Sequence, residues 1–162
     1  MHILELTDFS SVSALREVIA EYMRSLPFDI DYQSPEKELE DLSALYSNEA
    51  GGALFVALEN ETIAGCVAVK KLIHMHPQQN VRTCEMKRLY VLPAFRGKNI
   101  GHMLAQAIIQ KAKELGYHEM YLDTHRQAQA QAIAMYKRMG FEECADYHPN
   151  PGKLLCMRLN LR

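Results

Sequence analysis

Val91-Leu92-Pro93-Ala94-Phe95-Arg96-Gly97-Lys98-Asn99-Ile100-Gly101 is the stretch on which the reading of this chain turns. Before it, a β-type run from Glu85 to Val91 stops at Pro93. After it, Ile100, Met103, Leu104, Ala107, Ile108 and Leu115 recur at helical spacing on one face. The start of a helix carries unpaired N–H groups and a partial positive charge. A glycine-containing loop lets that backbone close around an anion such as phosphate. Arg96 and Lys98 place further positive charge at the same point. The segment therefore predicts a pyrophosphate cradle between a strand and a helix.

Outward from this stretch, the elements follow from periodicity and punctuation. Residues 2 to 6 alternate weakly, as an edge strand does. Ser10 or Ser11 opens a helix carrying Val12, Leu15, Ile19, Tyr22 and Leu26, which Pro27 ends. Phe28 to Gln33 reads as a loop. Ser34-Pro35-Glu36 starts a second helix, continued by Leu39, Leu42 and Tyr46 and closed by Gly51-Gly52. Ala53 to Leu58, Ile63 to Ile73 and Val81 to Val91 are strands with short connections, hence an antiparallel meander. A helix over 99–115 closes at Gly116. His118 to Asp123 is a strand, and Gln127 to Met139 a helix stopped by Gly140. Phe141 to Cys144 and Leu154 to Leu161 are the last strands. The order β-α-α-β-β-β-α-β-α-β-β predicts a mixed α/β fold: about seven strands in a mostly antiparallel twisted sheet, flanked by four helices.

The whole chain bounds the function classes. Its 162 residues fit a single domain over 1–162, and 48% hydrophobic residues suffice for a core. Lys plus Arg number 18 against 20 Asp plus Glu, so no basic excess calls for nucleic acid. No apolar run approaches the roughly 20 residues that span a bilayer. Cys66, Cys84, Cys144 and Cys156 form no C-x-x-C pair and follow no secretory signal, so reduced packing thiols in a cytoplasmic protein are expected. His74-x-His76 lacks an acidic or cysteine partner at metal-site spacing, and no metal is expected. A G-x-x-x-x-G-K-[ST] loop is absent, which disfavours nucleotide hydrolysis. A symmetric dimer is the default expectation for assembly.

Arg96-Gly97-Lys98-Asn99-Ile100-Gly101 resembles the acyl-CoA-binding loop of the GNAT superfamily of N-acetyltransferases, in which Arg/Gln-x-x-Gly-x-Gly/Ala is usual. Leu89-Tyr90-Val91-Leu92-Pro93 and Ala132 to Phe141 are similar to further segments of that family, in the same order. The resemblance is to its bacterial small-molecule type. Asn99 replaces the first loop glycine, and asparagine tolerates the left-handed backbone better than other non-glycine residues. The resemblance implies acetyl-CoA as cosubstrate, held by Leu89, Tyr90, Val91, Arg96, Gly97, Lys98, Asn99, Ile100 and Gly101. Gln129 stands where the family commonly has an asparagine that holds the cofactor arm.

The implied reaction makes three demands. An acceptor ammonium, with a pKa of about 10, must lose a proton. An oxyanion needs fixed donors. A departing thiolate must be protonated or stabilised. Glu85 is the candidate base. By period-two counting it shares a face with Lys87, Leu89 and Val91 unless a bulge intervenes; the alternative is a surface carboxylate paired with Lys87 or Arg88. Asp123 is the rival base, though its place at a strand-to-helix junction favours capping. The backbone at Leu89, Tyr90 and Val91 is the expected oxyanion donor, and Tyr136 the expected acid. The acceptor expected is a small amine or amino-acid-like molecule, for which Lys87 and Arg88 hint at a carboxylate or phosphate. A protein N-terminal or lysine acetyltransferase and a non-catalytic acyl-CoA-binding module are the alternatives. Phe28 to Gln33 and Tyr147 with Asn150-Pro151 fall on loops that flank the acceptor cleft in the resembling family.

Overall fold

A computed structural model describes residues 1–9, 12–26, 38, 40–73, 80–126, 129–147 and 154–162. The expectations placed on Ser10, Ser11, Pro27 to Gln33, Ser34 to Glu36, Leu39, His74, His76, Gln127, Asn150 and Pro151 lie outside the described residues. Seven strands form one sheet in the order β1-β2-β3-β4-β5-β7-β6: β1 (His2–Glu5), β2 (Ala53–Glu59), β3 (Thr62–Leu72), β4 (Thr83–Val91), β5 (Glu119–Thr124), β6 (Glu142–Glu143) and β7 (Leu155–Asn160). Among the described residues, β4 and β5 pair in parallel and the other pairings are antiparallel. Among the described residues, the helices with both ends placed are α1 (Ser13–Ser25), α2 (Ser43–Tyr46), α3 (Ile100–Glu114) and α4 (Ala130–Arg138), with a 3₁₀ turn at Pro93–Phe95. The predicted mixed sheet, element order and meander hold; the second predicted helix does not run unbroken to Gly51, since the helix is interrupted at Asp41 and Leu42 and α2 ends at Tyr46, while the other boundaries shift by a few residues.

Two helical layers cover the sheet because its strands alternate. Val67 and Val69 of β3 pack with Leu104 and Ile108 of α3 on one face. Cys66 and Ala68, one residue out of phase, pack with Leu15 and Ile19 of α1 on the other. The buried stripe of α3 runs through Ile100, Leu104, Ala105, Ile108 and Ala112, so Ala105 and Ala112 take the place expected for Ala107. No helix among the described residues is long and apolar enough to cross a membrane.

Two irregularities open the sheet where a site can form. The register of β3 against β4 shifts between Cys66 and Ala68, and Arg88 sits there with φ 58°. This is a bulge, which adds a residue and reverses side-chain parity beyond it. Gly65 faces the distorted strand: a Cβ there would stand 2.5 Å from the Tyr90 carbonyl oxygen. The second irregularity is the short β4–β5 ladder, which pairs only Thr83, Cys84 and Glu85 with Glu119, Met120 and Tyr121. Past Glu85 the two strands part.

The bulge corrects the period-two expectation. Glu85 and Lys87 do share a face, but Tyr90 follows them toward α1, while Leu89 and Val91 turn to the α3 side. Regular strand alternation would send the adjacent Lys87 and Arg88 to opposite faces. Both turn inward on the α1 side instead, because the extra residue lets two successive side chains share one face.

Candidate active site

The loop turns into α3 where the sequence places the turn. Gly97 has φ 81° and Asn99 φ 62°, both in the left-handed region. Asparagine therefore supplies the turn that the loop needs without glycine. The first intrahelical bond of α3 is donated by Met103 N–H to the Asn99 carbonyl, at 3.2 Å. The N–H groups of Ile100, Gly101 and His102 thus precede the intrahelical ladder and face outward at the positive end of the helix. A cavity of about 730 Å³ opens at this end, lined by Arg96, Gly97, Asn99, Gly101 and, across it, Gln131 and Arg138. A Cβ on Gly97 would meet nothing within 4 Å. An open anion-sized space against bare helix N–H groups fits the diphosphate of coenzyme A. The two loop cations each have a partner. Arg96 donates Nε–H to the Val91 carbonyl at 3.0 Å and lies 5.5 Å over the Tyr90 ring. Lys98 donates to Glu59 Oε2 at 2.7 Å.

From the cradle the groove runs inward along the parted strands. A second cavity, of about 640 Å³, shares Val91, Arg96, Gly101, Gln131 and Met135 with the first. It continues past Leu89, Tyr90, Tyr22 and Gln129. Since β5 has left β4 here, the backbone of residues 89–91 on that side has no strand partner among the described residues. Gln129 bridges the groove's far wall. Its Oε1 accepts from the Thr124 hydroxyl and, at 3.1 Å, from His125 N–H. The α4 helix starts only after Gln129, so Asp123 does not cap it; the capping expectation is overturned because Asp123 lies inside β5.

The groove ends in a polar cavity of about 50 Å³, room for one or two waters at ~30 Å³ each. Lys87, Asp123, Tyr136, Tyr22 and Gln129 line it. Lys87 Nζ lies 3.6 Å from Asp123 Oδ2 and 3.6 Å from Glu85 Oε1. Burial works against the Lys87 charge, but Glu85 and then Asp123 outweigh it and hold its pKa above the usual lysine value. Glu85, 2% exposed, lies behind Lys87; Lys70 stands 3.3 Å from its other oxygen. Glu85 is thus a buried carboxylate rather than the surface one considered as the alternative. The Tyr147 phenol donates to Glu85 Oε1 at 3.0 Å, and burial together with Glu85 pushes its pKa far up, keeping it a donor. Tyr136 is buried against Phe141, with ring centroids 5.6 Å apart. Burial, then Tyr22 and Asp123, raises its pKa, so it too keeps its proton.

Of the residues singled out in the sequence, the structure brings Asp123 and Tyr136 to one cavity and sets Glu85 behind Lys87 at its edge. Sequence reasoning missed Lys87 as the centre of the charged cluster, and Tyr22 and Tyr147 as its neighbours. Tyr22 reads as an ordinary member of the α1 apolar stripe, and Tyr147 as a loop residue. Arg88, by contrast, is withdrawn from the pocket's work by Glu38, to which it donates two bonds of 2.7 and 2.6 Å.

All four cysteines are free thiols. Cys66 donates to the Arg88 carbonyl at 3.4 Å, and burial pushes its pKa up to about 12, so it packs and does not react.

Residues 15–141 match the acetyltransferase (GNAT) family, and the chain belongs to that family. It is 36% identical over 145 residues to an uncharacterized N-acetyltransferase of Schizosaccharomyces pombe, across 89% of this chain and 85% of that protein. Its fold is similar to that of a GNAT-family acetyltransferase from Staphylococcus aureus Mu50, with a TM-score of 0.79, 23% identity and 99% of each chain covered. It is similar also to yncA from Salmonella typhimurium, solved with its cofactor acetyl-CoA, with a TM-score of 0.74 and 21% identity, covering 99% of this chain and 94% of that one.

Proposed function

We propose that this chain, acting as one domain, transfers an acetyl group from acetyl-CoA to a primary amine on a small acceptor by direct attack. The observation that carries the reading is the continuity of the groove. It starts at the N–H groups of α3, passes the side of β4 from which β5 has parted, and ends at Lys87, Asp123 and Tyr136. The S. typhimurium relative of similar fold holds acetyl-CoA, which supports the same cosubstrate here.

Acetyl-CoA supplies an activated thioester carbonyl. The chain's residues divide the remaining work. Ile100, Gly101 and His102 hold the diphosphate through backbone N–H groups, beside Arg96, Gly97, Lys98 and Asn99. Leu89, Tyr90, Val91 and Gln129 flank the pantetheine arm. Free β4 N–H groups near Leu89 face the developing oxyanion. Asp123, at the pocket wall, takes the amine proton, and Glu85, one charge further in, holds Lys87 and completes the proton-accepting set. Tyr136 keeps its proton until the thiolate leaves and then donates it. The four free thiols support a reducing, cytoplasmic setting.

Thiol release from acetyl-CoA with a panel of primary amines tests the reaction, with Tyr136→Phe, Glu85→Gln and Asp123→Asn as controls. Calorimetric binding of acetyl-CoA without thiol release on any amine would replace this reading with a non-catalytic acyl-CoA-binding module.

A further inference from the structure

We propose that Lys87 reads a carboxylate on the acceptor, which makes the preferred acceptor an α-amino acid or a derivative that keeps the free carboxylate. This rests on the N-acetyltransferase reading above and narrows its acceptor.

Three observations lead there. The first is an ammonium with open donors. Lys87 is 8% exposed and its side chain borders the inner cavity. Its two ion pairs are 3.6 Å long, beyond hydrogen-bond reach, and its Nζ makes no hydrogen bond among the described residues. An ammonium carries three N–H donors, and a buried one left without hydrogen bonds is costly. The cavity is where those donors can be met, by water or by an acceptor oxygen.

The second is the charge count around the cavity. Among the described residues, Arg88 pairs with Glu38, Lys70 with Glu85 and Lys87 with both Glu85 and Asp123. An alkylammonium entering this balanced cluster adds an uncompensated positive charge next to Lys87. A zwitterion adds none: its ammonium faces Asp123 and its carboxylate faces Lys87, so opposite charges alternate. A phosphomonoester amine would leave an excess negative charge beside Glu85 and Asp123.

The third is elimination of the other cation. Arg88 spends its fork on Glu38 and has Tyr46 beyond it, since Tyr46 donates to the same carboxylate at 2.7 Å. Of the two residues that suggested an anionic acceptor in the sequence, the bulge and Glu38 leave Lys87 to carry the role.

The test compares, for several side chains, the L-amino acid, its carboxamide and the amine lacking the carboxyl group, at saturating acetyl-CoA. Thiol release gives kcat/KM for each. The free acids should exceed their amides and bare amines by about ten- to a hundredfold, the span of a charge-assisted hydrogen bond. The lower-pKa amine of the carboxamide biases the comparison against the proposal. In Lys87→Met the ratio should collapse toward one, and in Lys87→Arg it should be retained in part. Equal or better turnover of amides or bare amines by the wild-type protein overturns the proposal without touching the acetyltransferase reading. So does an undiminished ratio in Lys87→Met. The wild-type comparison needs no variant to fold. Absence of thiol release with every compound, while acetyl-CoA binds, sinks both readings together.

Discussion

Arg88 grips Glu38 through two parallel bonds, Nε to Oε1 at 2.7 Å and Nη2 to Oε2 at 2.6 Å, in a buried setting fifty positions apart in the chain. The pair fastens the β4 bulge, where Arg88 stands at φ 58°, to the stretch just ahead of α2. A left-handed arginine is costly by itself. The bidentate bond offsets that cost and fixes which way the bulged residue turns.

Breaking this pair from one side should be expensive. Arg88→Met or Glu38→Leu alone should lose about 3–5 kcal/mol, since each leaves an uncompensated buried charge. The double variant should recover most of that loss. Urea unfolding of the three variants measures it as a double-mutant cycle. A loss below about 1 kcal/mol for either single change would show that the pair is not buried in solution.

Glu38 also sets a pH response. Burial alone would raise its pKa, but the hydrogen bonds and charge of Arg88 outweigh burial and hold it below the usual glutamate value. A carboxylate with a depressed folded-state pKa adds stability that is present above its unfolded value, about 4.3, and is lost as pH falls through the folded one. Denaturant midpoints should therefore decline below about pH 4.5. In Glu38→Gln that decline should be shallower. An equal slope in both proteins would assign the acid sensitivity to other carboxylates.

Tyr136→Phe keeps the ring against Phe141 and removes only the hydroxyl that faces the cavity. The melting temperature should hardly move, while kcat falls by roughly 10² or more with little change in KM. A tyrosine that merely packs would leave kcat alone. Solvent-exchange effects on single-turnover thiol release would then locate the acid elsewhere.

Asn99→Val places a β-branched residue at φ 62° and should strain the cradle by about 1–2 kcal/mol. Acetyl-CoA affinity should weaken by roughly tenfold, one decade per 1.4 kcal/mol, as the N–H groups of Ile100 and Gly101 lose their aim. Asn99→Gly, which accepts the same φ, should bind as the wild type or better. Calorimetric titration of the two variants separates backbone strain from loss of the amide side chain, because both lack that amide.

The parts legible in the sequence were those with a local signature. Pro93, Gly97 and Asn99 mark the turn, and the spacing from Ile100 to Ile108 marks the helix that follows. The three strands before them are read from β-branched runs and short connections. The arrangement of charges was not legible, for a physical reason. The bulge at Arg88 has no residue preference of its own; its nearest sign is Gly65, small because the β4 backbone crowds it, and that glycine lies on another strand. Glu38 and Tyr147 reach Arg88 and Glu85 from 50 and 62 positions away, so no window of sequence contains either pair. Asp123 illustrates the same limit. An aspartate before a helix reads as a cap, and only the place of Lys87 across the parted strands shows that it faces an ammonium instead.

Among the described residues, three register pairs make up the β4–β5 ladder that joins the β1–β4 half of the sheet to the β5–β7 half. Below that short seam the wedge between them exposes peptide groups that in an unbroken sheet would tie one half to the other. A slender guest with amides along its length can knit that wedge shut, so amide-exchange protection at Leu89 and Val91 should rise far more on loading than at Val67, whose neighbours are already in place.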